Sequence, residues 1–264
     1  MSVAAVMLVR DEADIVEVTV RHLLANVDQL LVADNLSTDG TRVILDRLAA
    51  EHPNQLTVVT DGEVGYYQSR KTTEMAGRML ERGHQWVIPC DADEIWLSPD
   101  GRTLANFLAG IPWDVQAVRA DVYNHVCTAK DDRRELDPTR RICWRQTQPL
   151  PLGKVACRLR PDLTIHAGNH SSTTEGPGLV AAGLQIRHFP YRSEDQFVRK
   201  AMNGAEAYAA TDLPESTGVH WRMYGRMVEE HGVQAAAQWF RDYFVSPRPE
   251  QDGTLMRDQA PVRR

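Results

Sequence analysis

The chain has 264 residues, 42% of them hydrophobic and 25% charged, which suits one large globular domain or two small ones. Its formal net charge of -6 gives no reason to expect non-specific nucleic-acid binding, which needs a basic face, so an anionic ligand has to be held by local basic groups or a metal. Cys90, Cys127, Cys143 and Cys157 show no C-x-x-C spacing, which predicts free thiols in a reducing cytosol rather than a zinc site or a disulfide framework. The first apolar run has no basic leader and no segment approaches the ~20 apolar residues of a membrane span, so the expected location is cytoplasmic.

Val3 to Val9 is a valine-rich run that fits a buried parallel strand. Asp14 to Asn26 has apolar residues at helical spacing, with Asp14 as its expected N-cap. Gln29 to Ala33 reads as a second strand, ending in the turn-forming stretch Asp34-Asn35-Leu36-Ser37-Thr38-Asp39-Gly40. A helix is predicted over Thr41 to Glu51, a third strand over Leu56 to Thr60, and a helix over Ser69 to Arg82. Trp86 to Cys90 is a fourth strand that runs into Asp91-Ala92-Asp93-Glu94.

This alternation predicts an α/β fold with a mostly parallel sheet and helices on both faces. Ligands bind such sheets at the carboxyl ends of the strands, and polar residues follow each predicted strand: Arg10-Asp11-Glu12, Asp34-Asn35, Asp61 and Asp91 to Glu94. The second half is less regular. Val115 to Val122 and Leu184 to His188 read as strands, Ser193 to Ala210 and Val219 to Tyr243 as helices, and residues 127–182 as loop-rich, with Pro138, Pro149, Pro151, Pro161 and Pro177. The expected division is a ligand-binding half over 1–123, an acceptor-side and helical half of the same domain over 124–245, and a mobile polar tail over 246–264.

Asp91 and Asp93, with one residue between them after a buried strand, are the pattern that offers carboxylate oxygens to Mg²⁺ or Mn²⁺ bridging a diphosphate. His188 closes a later strand and is placed to complete that metal shell. Asp11, Glu12, Asp34 and Asn35 are short acceptors suited to a nucleobase and ribose. Arg192, Arg199 and Lys200 are available to neutralise phosphates, while Gln68, Arg70 and Lys71 follow the third strand on the donor side. Ser193, with Gln196 three residues on, predicts a capped helix start. Gly62 and Gly65 mark either a close approach to a ligand or a flexible loop. His166 and His170 flank Ala-Gly-Asn, a spacing that argues against a helical metal pair and leaves one imidazole as a general base or as a structural group.

Leu8-Val-Arg-Asp-Glu12, Val32 to Gly40, Trp86 to Glu94, Gly168-Asn-His170 and His188 to Ser193 together resemble the family 2-like glycosyltransferases of the GT-A fold, over roughly residues 3 to 210. The resemblance implies a hexosyltransferase-type enzyme. It would move a sugar from a UDP- or GDP-type donor to a small-molecule or glycan acceptor, with inversion. It also implies nucleoside contacts from the first strand end and Asp34, a metal and diphosphate motif at Asp91 and Asp93, and a late metal histidine at His188. Many inverting relatives carry a Glu-Asp pair near a late helix start. Here the corresponding pair is Glu194-Asp195, and His170, Glu94 and Asp121 compete with Asp195 for the role of base. Two other readings are a nucleotidyltransferase, disfavoured by the acidic, glycine-free Arg10-Asp11-Glu12-Ala13-Asp14, and a non-catalytic nucleotide- or carbohydrate-binding module.

Overall fold

A computed structural model describes residues 1–174 and 179–263; Pro177 and Arg264 lie outside them. The first half runs β1 (Val3–Val9), α1 (Val16–Leu24), β2 (Gln29–Asp34), α2 (Thr41–Glu51), β3 (Leu56–Thr60), α3 (Gln68–Glu81), β4 (Trp86–Cys90), β5 (Glu94–Leu97) and α4 (Leu104–Ala109). Then come β6 (Val115–Asn124), β7 (Cys127–Thr128), α5 (Pro138–Arg141), β8 (Trp144–Gln146), β9 (Lys154–Arg158), β10 (Thr164–Ile165), β11 (Ser172–Thr173) and β12 (Leu179–His188). The chain closes with α6 (Glu194–Ala209), α7 (Val219–His231), α8 (Val233–Phe244), β13 (Val245–Ser246) and β14 (Leu255–Arg257).

Eight strands form one sheet in the order β3-β2-β1-β4-β9-β6-β12-β5. The pairs among β1, β2, β3 and β4 are parallel, as is β6 with β12, whereas β9 and β5 run antiparallel to their neighbours. Strand alternation sends Val3, Ala5, Met7 and Val9 to the face covered by α1 and α2, and Ala4 and Val6 to the face covered by α3. The mostly parallel sheet with helices on both faces is therefore present. Reversed β9 and β5 have a consequence for function. Their first residues, Lys154 and Glu94, arrive at the same sheet edge as the last residues of β1, β4, β6 and β12.

Three local expectations change. Helix α1 starts two residues after Asp14, whose carboxylate turns to the Arg192 guanidinium at 2.7 and 2.8 Å instead of capping it. The predicted 219–243 helix is two helices, broken at Gly232, where φ is +80°. The proline-containing terminal segment is tied to the body: β14 pairs with β8, Asp258 bonds Arg145 at 2.5 Å and Arg187 at 3.0 Å, and the Arg263 amide donates to His22 Nδ1 at 2.9 Å. Ser193 caps α6 as expected, its hydroxyl accepting from the Gln196 amide at 3.2 Å. The four cysteines are free thiols. Among the described residues no helix is long and apolar enough to cross a membrane.

Candidate active site

A cavity of about 390 Å³ opens at the edge where these strands end. Its floor holds Arg10, Asp11 and Glu12 after β1, Asn35 after β2, Asp91 and Asp93 after β4, and His188 at the end of β12. Helix α6 forms the roof, turning Lys200, Asn203, Gly204, Ala207 and Tyr208 inward at helical spacing. Tyr66, His220 and Trp221 add aromatic walls, with the Tyr66 and Tyr208 rings 5.1 Å apart. Helices α6 and α7 meet closely because Gly204 and Gly225 lack side chains: a Cβ on Gly204 would come within 2.9 Å of the Trp221 ring.

The acidic motif is a turn organised from within. The Glu94 side chain is 0% exposed; its Oε2 accepts from the Asp91 amide at 3.1 Å and from Trp96 Nε1 at 3.2 Å. Burial raises the Glu94 carboxyl above the usual carboxylate range, against the pull of Lys154. A carboxylate with no exposed surface cannot reach an acceptor, so Glu94 organises the turn and is not a base candidate. Asp93 is 3% exposed, and its Oδ2 takes the Lys200 ammonium at 2.5 Å with Arg192 at 3.7 Å. Burial opposes its ionisation, but Lys200, His188 and Arg192 together hold it well below the usual range. Asp91 is 35% exposed; its Oδ2 meets Lys154 Nζ at 2.5 Å, and its Oδ1 faces the amides of Gln68 and Asn169, each at 3.4 Å.

His188 Nδ1 lies 2.8 Å from Asn124 Oδ1 and donates to it, which orients the ring. Its Nε2 sits 3.5 Å from Asp93 Oδ1. His170 is oriented in the same way: its Nδ1 donates to the Gly153 carbonyl at 2.8 Å, and the ring lines the cavity. Gly168 makes room for it. At φ +75° it adopts a left-handed conformation, and a Cβ there would lie 2.4 Å from His170 Cδ2.

Other predicted residues are placed differently. Arg192 is fully buried, paired with Glu12, Asp14 and Asp93, and does not line the cavity. It braces the site and has no path to a leaving group. Asp195 is exposed outside the cavity, and Glu194 beside it pairs with Arg241. Asp121 pairs with Arg119 at 3.6 Å, away from the cavity. Lys71 is bound to Asp61 at 2.6 Å, Arg70 to Glu63, and Arg199 lies 3.8 Å from Asp39; none lines the cavity. Asp11 ties the β1 end to the Thr38 amide at 2.6 Å and to Asn203 at 2.7 Å. Asn35 donates to Asp61 at 2.9 Å and to the Glu63 carbonyl at 2.7 Å. Gly65 packs against the Tyr67 ring and the Ala210 carbonyl, where a Cβ would lie at 2.7 and 3.0 Å, so it marks close packing of the loop on α6. A Cβ on Gly62 meets nothing within 4 Å.

Two side chains at the ends of β1 and β2 carry buried polar atoms with no partner among the described residues. The Asp34 side chain is 4% exposed, its Oδ1 is orphaned, and its Oδ2 is 4.0 Å from Arg42. Arg10 gives NH2 to Glu206 at 2.5 Å, while its Nε and NH1 are buried and unsatisfied. Lys154, Tyr66, Tyr208, His220 and Trp221 escaped the sequence reading. For Lys154 the only signal was a lysine opening an otherwise apolar strand; the aromatics gave none.

Residues 4–157 match the family model for glycosyl transferase family 2. No curated protein sequence matches the chain. Among solved structures, a mannosyltransferase from Pyrobaculum calidifontis in complex with GDP-Man and Mn²⁺ shares 20% identity over 91% of this chain and 74% of its own, with a TM-score of 0.42. TarS residues 1–349 from S. aureus share 13% over 88% and 73%, with a TM-score of 0.41. Likeness this distant says nothing of substrate. The family match spans more than half of the sequence: the chain belongs to glycosyl transferase family 2.

Proposed function

We propose that this glycosyltransferase is a cytoplasmic, divalent-metal-dependent enzyme that transfers a hexose, with inversion, from a nucleoside diphosphate sugar to an acceptor hydroxyl. The observation that carries this reading is the charge around the motif. Five carboxylates (Glu12, Asp14, Asp91, Asp93, Glu94) face three side-chain cations (Lys154, Arg192, Lys200). The excess of two negative charges is what one divalent ion balances.

The donor set fits such an ion. Asp93 Oδ1 and His188 Nε2 face each other at 3.5 Å, and with the ring proton on Nδ1 toward Asn124 both would offer lone pairs to the ion. No cluster of three His, Cys, Asp or Glu suited to a metal occurs among the described residues. Two protein ligands suffice for Mg²⁺ or Mn²⁺, which complete their shells with phosphate oxygens and water. When bound, the ion supplies positive charge to the departing diphosphate.

The chain's own groups account for the remaining steps. Asp34 does not itself line the cavity; it ends β2 beside Asn35, which does, and its unpaired Oδ1 is the acceptor assigned to the nucleoside. The free N–H groups of Arg10 are suited to the anionic donor. His170 Nε2 takes the acceptor proton, its tautomer held by Gly153. The aromatic walls favour an acceptor with an apolar face, as a sugar ring has.

A thermal-shift screen of nucleoside diphosphates and their sugars with Mn²⁺ or with chelator tests the reading, since a ligand that binds the folded state raises the melting temperature. A metal-enhanced shift followed by nucleoside diphosphate release is expected. Pyrophosphate release would mean nucleotidyl transfer, and binding without turnover across an acceptor panel would mean a binding module.

A further inference from the structure

The sequence contains 26 arginines and only four lysines: Lys71, Lys130, Lys154 and Lys200. Arginine is this chain's default cation, so a buried lysine, a compact point charge with three donors, stands out against it. Lys154 is such a lysine. It is 6% exposed, and its ammonium bridges two carboxylates of different kinds: Glu94, sealed from solvent, and Asp91, on the cavity side. An ammonium carries three N–H groups. Two are taken by these carboxylates, its only ion-pair partners among the described residues, and Lys154 also lines the cavity. A counterion serving Glu94 alone would need no access to the cavity.

Backbone geometry holds the ammonium there. Gly153 lets the start of β9 press against β6, where a Cβ would lie 2.5 Å from the Ala120 carbonyl. The Gly153 carbonyl also orients His170. One dipeptide therefore positions both the cation beside Asp91 and the His170 imidazole.

We propose that Lys154 is a donor-phosphate-binding residue, its third N–H directed to the diphosphate, with Asp91 and Glu94 fixing its position. The inference rests on the nucleoside diphosphate reading above. Its test is the ratio of affinities for nucleoside and nucleoside diphosphate, measured calorimetrically with uridine, UDP, guanosine and GDP, in Mn²⁺ and in chelator, on wild type and Lys154→Met. A charge-assisted hydrogen bond predicts that Lys154→Met loses about tenfold or more of the preference for the diphosphate while nucleoside affinity stays unchanged. If the wild type binds neither diphosphate, the parent reading fails. If it binds one and Lys154→Met keeps the full preference, only the role of Lys154 fails. Should the variant not fold, the wild type carries the test. With four ¹⁵N-labelled lysine ammonium groups, assigned by elimination from Lys71→Arg, Lys130→Arg and Lys200→Arg, inorganic diphosphate must shift the Lys154 resonance. An unmoved resonance overturns the proposal.

Discussion

Asp91 and Asp93 stand two residues apart in the chain and in opposite environments. Asp93 is 3% exposed, locked by Lys200, Arg192 and His188, all contributed by the last third of the chain. Asp91 is 35% exposed and held by Lys154 of β9, Gln68 of α3 and Asn169 of the turn before β11. One carboxylate belongs to a buried charge network whose geometry leaves little freedom. The other lies at the cavity wall, where a ligand can compete for its partners. A motif that reads as a symmetric pair in sequence is asymmetric in space, because each aspartate is finished by a different part of the fold.

The strongest way to break this comparison is Asp93→Ala. It is expected to reduce metal-dependent donor turnover about a hundredfold or more, with Asp91→Asn losing clearly less, measured as nucleoside diphosphate release over a Mn²⁺ titration. Equal losses would mean that the two carboxylates do the same work. On the Asp91 side, His170→Ala should lower kcat by about 10²-fold or more and leave the donor KM unchanged, as loss of a general base does. A raised donor KM at constant kcat would move His170 from acceptor activation to donor binding.

On the Asp93 side the brace is testable through stability. Arg192→Met leaves Glu12, Asp14 and Asp93 short of a buried partner, and removing one member of such a network costs about 3–5 kcal/mol. Chemical denaturation should show that loss, and a change below ~1 kcal/mol would mean the network is well solvated.

The smallest expected effect lies behind both carboxylates. Burial depresses the His22 pKa to about 4, and the neutral ring donates through Nε2 to the Trp96 carbonyl while Nδ1 accepts the Arg263 amide. The unfolded chain takes up this proton near pH 6.5 and the folded one only near 4, so stability is complete above about 6.5 and falls as pH drops toward 4, by up to about 3 kcal/mol. His22→Gln should flatten that slope in acid denaturation. An unchanged slope would assign it to other groups, of which His125, likewise depressed to about 4, is the first.

Much of the fold was legible because it is local. The β1 to β4 units announce themselves through apolar runs, and β1, α2, β3 and β4 fall where the pattern puts them. The edge where the cavity opens was legible too, since polar residues follow each strand. Strands β5 and β9 were not, being short and assigned their places only by pairing with β12, β4 and β6. The break at Gly232 was hidden inside a continuous helical pattern. Asp14 resembled an N-cap because a short acidic side chain before a helix usually is one, and the arginine that recruits it lies 178 residues away.

What the sequence by itself determined is the order of the βα units, the acidic turn after the fourth strand and the family. These depend on near neighbours and on side-chain type. The tertiary structure decided which charges line the cavity and which are enclosed among one another. Arg192, Lys71 and Glu94 look as available in sequence as Lys200, Arg10 and Asp91, yet burial turns the first three into partners of the protein itself. Lys154 shows the converse: an antiparallel strand delivers its first residue to an edge where parallel strands deliver their last, and only the direction of pairing reveals it.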